Sequence, residues 1–424
     1  MVLGTQTPRL ALVRNEGAEG TQGDRSPSRS ILIVAPSWPY PPTWGFAMRV
    51  YHLAKQLSTR HRVSLLTYGG RDLAQEPGRT VFESVHLVRP PAAMRSKRRA
   101  QARSLFSPNS HHLGGLRSHE MEAVLTNLLS RQAFDLVQLE SSQMGFCAPI
   151  AGVPTALDEH NVEYMLLKRL AGAESSFGRK AFGQLEAAKV RREELRAWAQ
   201  CDGAIFTSTA DMASMHSAFP ERNACVVPNG VDPEYFRPSA DEVEPSTVVF
   251  TGAINYRPNT DAVAYFVREV MPRLLQLKPS SKFVVVGQGA PDWLLRMASS
   301  SVVFTGAVRD VRPYLSGASV VVAPLRAGSG TRLKILEALA MEKPVVTTTI
   351  GCEGLNVIDG DHVCIADDAQ QFAETTAWLM SDRKLAAEIG REGRALAERE
   401  YSWSVIVNRL EQFQTQLINK ETRV

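Results

Sequence analysis

The chain has 424 residues, 44% hydrophobic and 22% charged, with a formal net charge of +4. This is the composition of an ordinary globular protein with length for two or three domains; it excludes a disordered low-complexity chain and carries no global signature of nucleic-acid binding. No apolar run approaches the ~20 residues of a membrane span, the N-terminus lacks a signal-peptide core, and Cys147, Cys201, Cys225, Cys352 and Cys364 show neither disulfide-framework nor metal-ligand spacing. A cytoplasmic protein without a metal is expected.

Residues 1–29 are rich in Gly, Ser, Thr, Gln and Arg without useful period. They read as a disordered tail, or as sequence upstream of the true start. Residues 31–35 (ILIVA) read as a buried strand. A proline-rich loop follows over 36–45, then a helix over 46–58 and a strand over 62–68. This first βαβ unit lacks the G-x-G-x-x-G of a dinucleotide fingerprint, which argues against a nicotinamide oxidoreductase. In the loop, Gly45 reads as a turn glycine, and Trp38, Tyr40 and Trp44 as packing residues.

Residues 83–89 read as a strand. Arg95, Lys97, Arg98, Arg99 and Arg103 then form a basic run. It is either a solvated face or a patch for an anionic membrane or lipid phosphate. A helix over 119–131 and strands over 134–139 and 153–157 follow. The last strand ends in the polar quartet Asp158-Glu159-His160-Asn161. Polar residues at the carboxyl end of a parallel strand are where α/β folds place ligands. Residues 162–200 read as a pair of charged surface helices, and 202–207 as a strand. Residues 224–227 lead into PNGVDPEYF and an acidic linker over 238–245, which marks a domain boundary.

The second half repeats one device. VVFTG over 248–252 recurs over 302–306, and FVVVG over 283–287 is similar. Strands ending in Gly252, Gly287 and Gly306 keep the edge of a parallel sheet bare, so that a ligand can lie against backbone. A strand over 319–323 then enters a loop with Gly328 and Gly330. From Thr331 the period changes: Leu333, Leu336, Leu339 and Ala340 share one side of a helix of about three turns. Lys343-Pro344 ends it, and a strand over 345–349 follows. The N-terminus of that helix, near Gly330, Thr331 and Arg332, is an anion site in physical terms. Arg332 and Lys334 add charge. Glu337 either pairs with Lys334 on the surface or accepts hydrogen bonds from a ribose diol. Residues 368–399 read as helical, and Tyr401-Ser402-Trp403 opens a final helix.

GSGTRLKILEALAMEKPVVTT over 328–348 resembles the donor-site segment of family 4 (group 1) glycosyltransferases, and PNGVDPEYF resembles that family's inter-domain hinge. The resemblance implies the GT-B fold: α/β, with two Rossmann-like doubly wound domains facing across a cleft. The implied organisation is a tail over 1–29, an acceptor-binding domain over 30–225, a nucleotide-sugar domain over 226–405 and a C-terminal helix over 406–424 packing back on the first domain. It implies transfer of a sugar from a nucleotide-diphosphate sugar to a saccharide or lipid-linked acceptor, with retention, without a metal or other cofactor and without nucleic acid, in cell-envelope biosynthesis. The protein would work in the cytoplasm or peripherally at the inner face of the membrane, through the 95–103 run. His160, with Asp158 beside it, is implied as catalytic. Gly252, Gly287, Arg309, Ser329, Gly330, Thr331, Arg332, Lys334 and Glu337 are implied in donor binding, with Glu337 on the ribose and Arg309 at the nucleobase. Gly45 is implied in the loop bordering the cleft. Two departures stand out. Ser329 occupies the position of the family's first donor-site glutamate, and Ala253 follows Gly252 where the family carries cations. A non-catalytic nucleotide-sugar-binding partner and a same-fold epimerase are the rival readings.

Overall fold

The computed structural model describes residues 27–70, 76–91, 104–105, 107–172, 176–239, 243–327 and 331–421. The basic run at 95–103, residues 1–26, and Ser329 and Gly330 lie outside the described residues.

The first domain is built on seven parallel strands: β1 (Ser30–Ala35), β2 (Arg62–Tyr68), β3 (Ser84–Val88), β4 (Leu136–Glu140), β5 (Thr155–Glu159), β6 (Gly203–Phe206) and β7 (Asn223–Val226), in the order β3-β2-β1-β4-β5-β6-β7. The second has six: β8 (Thr247–Thr251), β9 (Lys282–Val286), β10 (Val302–Gly306), β11 (Val320–Ala323), β12 (Val345–Thr347) and β13 (Cys364–Ile365), in the order β10-β9-β8-β11-β12-β13. The strands read as unbroken apolar runs because helices cover both faces of a parallel sheet. Residues 31–35 and 320–323 are almost wholly buried.

Each sheet reverses its winding once, between β1 and β4 and between β8 and β11. A reversal leaves a crevice at the carboxyl ends of the two strands, where no crossover helix covers it. These two crevices fix where a ligand can lie.

Several element boundaries differ from the sequence expectation for identifiable reasons. β5 covers Thr155–Glu159 and so carries Asp158 and Glu159 inside the sheet. The stretch over 368–399 is two helices, Ala369–Ser381 and Arg383–Tyr401. Asp382 separates them and caps the second through Leu385 N–H at 3.0 Å. The Leu333–Ala340 helix has eight residues and starts at Leu333, not Thr331. Thr331 is held elsewhere: its hydroxyl donates to Thr207 O at 3.0 Å, and its carbonyl accepts from Asn229 Nδ2 at 3.3 Å.

The chain crosses between the domains at 227–246 and again near 402. The crossings lie side by side. Val231 N–H donates to Tyr401 O at 2.8 Å, and Trp403 N–H to Val231 O at 3.2 Å. Gly230 is needed there, because a Cβ would stand 2.8 Å from the Trp403 ring and from Tyr401 O. The last helix, Trp403–Glu421, lies on the first domain. Trp403 stacks on His52 with ring centroids 5.3 Å apart, and Gln414 Nε2 donates to Gln138 Oε1 at 2.8 Å. Phe413 and Leu417 fill the space a side chain at Gly203 would need. Among the described residues no helix is long and apolar enough to cross a membrane.

Candidate active site

Lys334 and Glu337 sit at the β8/β11 crevice of the second domain. Lys334 Nζ donates to Asn259 Oδ1 at 2.8 Å and lies 3.8 Å above the Phe250 ring. It is 3.0 Å from where a Cβ on Gly252 would stand. Gly252 ends β8 with φ +142°, and Gly287 ends β9 with φ +146°. A Cβ at Gly287 would fall 1.8 Å from Gly252 O, so the two bare strand ends pack backbone to backbone. The ammonium therefore stands beside exposed backbone at the reversal point, next to the helix N-terminus at Leu333.

The electrostatics of this pair reflect incomplete solvation. Burial pushes the Lys334 ammonium down to about 7, helped by the Arg332 charge and opposed by Glu337. Burial pushes the Glu337 carboxyl up to about 7, opposed by Lys334. Burial also lowers Arg332, with Tyr256, Glu353 and Asp211 opposing. Among the described residues Glu337 has no hydrogen-bond partner. Cations that lack full hydration gain most from an arriving polyanion.

Across the cleft the first domain presents His160, just beyond β5. Its Nε2 lies 2.7 Å from Glu140 Oε2, at the end of β4, and its side chain is 10% exposed. Glu140 is buried and also accepts from Gln138 Nε2 at 2.8 Å; burial raises its pKa, and the His160 hydrogen bond opposes the rise. The far face of the imidazole stacks on Phe46 at 4.9 Å, and Phe46 stacks on Trp44 at 5.1 Å. Gly45, between Trp44 and Phe46 in sequence, lies near the Leu333–Ala340 helix: a Cβ there would meet Leu333 Cδ1 at 3.7 Å. The first loop of one domain thus touches the helix start of the other.

Asp158 is a correction. Its carboxylate does not reach the cleft. Both oxygens are taken by Arg49, whose Nε and NH2 donate at 2.9 and 2.7 Å, and neither side chain is exposed. The remaining nitrogen of Arg49, NH1, donates to Val227 O, Pro228 O and Asn229 Oδ1. Asn229 in turn holds Thr331. Asp158 is therefore the anchor of a strut that runs from β5 through the Gly45–Leu57 helix to the hinge and Thr331. Ligand atoms of Glu140, Asp158 and His160 lie within 4.8 Å of one another, a spacing compatible with a cation. The Arg49 guanidinium already supplies that charge.

Of the other expected donor residues, Thr331 is buried at the domain junction, and Arg332 forms the N-cap position of the Leu333–Ala340 helix. Arg309 follows the edge strand β10, two strands from the crevice, and is exposed. Sequence reasoning missed Glu140 and Arg49. The available signal for Glu140 was an acid at the end of a strand adjacent to β5, opposite Asp158 in register.

Two facing, doubly wound parallel sheets with a cleft between their carboxyl ends define a GT-B protein. Models of the family match both halves: "Glycosyltransferase Family 4" over residues 45–235 and "Glycosyl transferases group 1" over 245–382. The chain belongs to the family 4 (group 1) glycosyltransferases. It is 26% identical over 221 residues to a GDP-mannose-dependent monoacylated alpha-(1-6)-phosphatidylinositol monomannoside mannosyltransferase of Corynebacterium glutamicum, covering 46% of this chain and 56% of that one. It is 26% identical over 194 residues to a glycogen synthase of Mycobacterium tuberculosis, covering 43% and 45%. The chain thus spans about half the length of the curated relatives it matches. Among solved structures, it is similar in fold to sucrose-phosphate synthase from Thermosynechococcus elongatus (TM-score 0.69, 17% identity, 92% of this chain and 100% of that one). It is also similar to HepE of Anabaena in complex with UDP (TM-score 0.65, 16% identity, 91% and 100%).

Proposed function

We propose that this protein transfers a sugar, with retention, from a nucleotide-diphosphate sugar to a saccharide or lipid-linked acceptor of the cell envelope. The carrying observation is the placement of Lys334 at the β8/β11 crevice, one helical turn before Glu337, on a helix whose start at Leu333 meets the first-domain loop that stacks on the Glu140-supported His160. In this reading Glu337 accepts hydrogen bonds from the ribose hydroxyls. Lys334, Arg332 and the N-terminus of the Leu333–Ala340 helix stabilise the diphosphate as its charge grows on leaving. The bare backbone at Gly252 and Gly287 lets the diphosphate approach. His160, oriented by Glu140, contacts the donor sugar or the acceptor hydroxyl. No metal is invoked, because the leaving charge has cationic and dipolar partners in the chain itself. The C. glutamicum relative is named for a lipid-linked acceptor, which supports the envelope role.

The test is calorimetric titration with uridine, guanosine, adenosine and thymidine diphosphates, on the natural protein and on Glu337→Ala. One nucleotide is expected to bind, with affinity reduced about 10- to 100-fold in the variant, the cost of removing a charged acceptor from hydroxyl donors. Unchanged affinity in Glu337→Ala would remove the ribose assignment. Binding of no nucleotide would favour a chain that has lost its donor site, in keeping with Ser329 and Ala253.

A further inference from the structure

We propose that Trp44 is an acceptor subsite, a plate on which the sugar unit next to the reacting one is laid. This rests on the functional reading above. Trp44 is 48% exposed, in contrast to the buried Trp38 of the same loop. Exposed apolar side chains are common, Trp378 at 53% among them, so what singles out Trp44 is its place in a ring ladder that ends at His160.

The ring is exposed but fixed. One face is covered by Phe46, at 5.1 Å and 24°, and Phe46 is covered in turn by His160, at 4.9 Å and 26°. The loop beneath is pinned at three points. Trp38 packs on Phe82. Tyr40 packs on Tyr51 and fills the space a side chain at Gly78 would need. The Trp44 carbonyl accepts Met48 N–H at 2.9 Å. The remaining indole face is therefore presented in one place, two ring steps from His160, at little cost in ordering on binding.

The chemistry favours a saccharide. The apolar C–H face of a pyranose matches the electron-rich face of an aromatic ring in shape and polarity. An acyl or prenyl chain would need a continuous apolar channel. Thr43 and Gly45, on either side of Trp44, are exposed and add no apolar bulk. The ladder His160–Phe46–Trp44 therefore fits an acceptor whose reacting unit faces His160 and whose neighbouring sugar reaches Trp44.

The experiment follows the indole N–H resonance of Trp44, assigned by its loss in Trp44→Phe. Methyl glycosides of mono- and disaccharides, and alkyl glycosides of increasing chain length, are titrated into protein saturated with its nucleoside diphosphate. Disaccharides are expected to move the resonance and to bind more tightly than monosaccharides. Trp44→Ala is expected to weaken them about tenfold and Trp44→Phe about threefold or less. Nucleotide affinity serves as the folding control in both. Equal disaccharide affinity in Trp44→Ala overturns the proposal, as does a response that follows alkyl length and not sugar number, which would give the plate to a lipid. Saccharides that fail to bind protein holding its nucleotide overturn the subsite and leave the donor site standing; failure of the nucleotide itself overturns both.

Discussion

Arg49 is the side chain on which most of the site's geometry depends. It is unexposed, bound at both oxygens of Asp158, and bonded to three hinge acceptors. Removing one member of a buried pair strands the other charge in a medium that cannot solvate it. Arg49→Met is therefore expected to destabilise the protein by about 3–5 kcal/mol in urea unfolding, and Arg49→Met with Asp158→Leu by clearly less. Equal losses in single and double variants would refute the strut. The position of His160 just beyond a strand end was legible because a polar quartet there is a local signal. Arg49 was not, since in the text it is one cation among the polar residues of an amphipathic helix. Its burial comes from packing between β5 and the hinge, residues more than a hundred positions away. Asp158 was misjudged for a related reason: β5 runs two residues beyond the expected end, which draws Asp158 and Glu159 into the sheet and leaves His160 and Asn161 beyond it.

At the scale of elements, the strand–glycine device explains the site's shape, and two of its glycines differ in what they do. Gly287 combines φ +146° with a site where a Cβ would fall 1.8 Å from Gly252 O, whereas Gly306 has φ +69° and open space for a Cβ. Gly287→Ala is expected to cost about 2–5 kcal/mol, from left-handed strain plus overpacking, and Gly306→Ala only about 1–2 kcal/mol from strain alone. Thermal unfolding of both variants checks this; comparable losses would mean that the β8–β9 backbone contact carries little. The repeated text showed three bare strand ends. It did not show that two of them touch, because that depends on the register of β8 on β9. The Leu333–Ala340 helix was legible from its leucine spacing. Its start was not, since Thr331 is diverted by a tertiary bond to Thr207.

At the scale of the whole molecule, two sheets with a hinge between were legible from apolar runs and the linker composition. The return of the last helix onto the first domain followed from the family resemblance; its landing on β6 did not, because Gly203 and Leu417 meet only through folding. This architecture makes a single cut harmless. A protease site placed between Ser239 and Glu244, once cleaved, is expected to leave one particle on size-exclusion chromatography, because Trp403–Glu421 stays on the first domain. Elution as two fragments without denaturant would show that the helix contributes little to cohesion.

The paired crossings at Val231 and Ser402 also set how the halves can move. Two tethers bonded to each other at one place act as a pin, not as a leash. Rotation about the pin leaves both bonds intact, and the cross-domain contacts that must yield to it include Thr331 to Thr207 and Arg169 to Glu353. Sliding one domain past the other would break both bonds of the pin. Such a pin favours hinge rotation of one half against the other over shear between them.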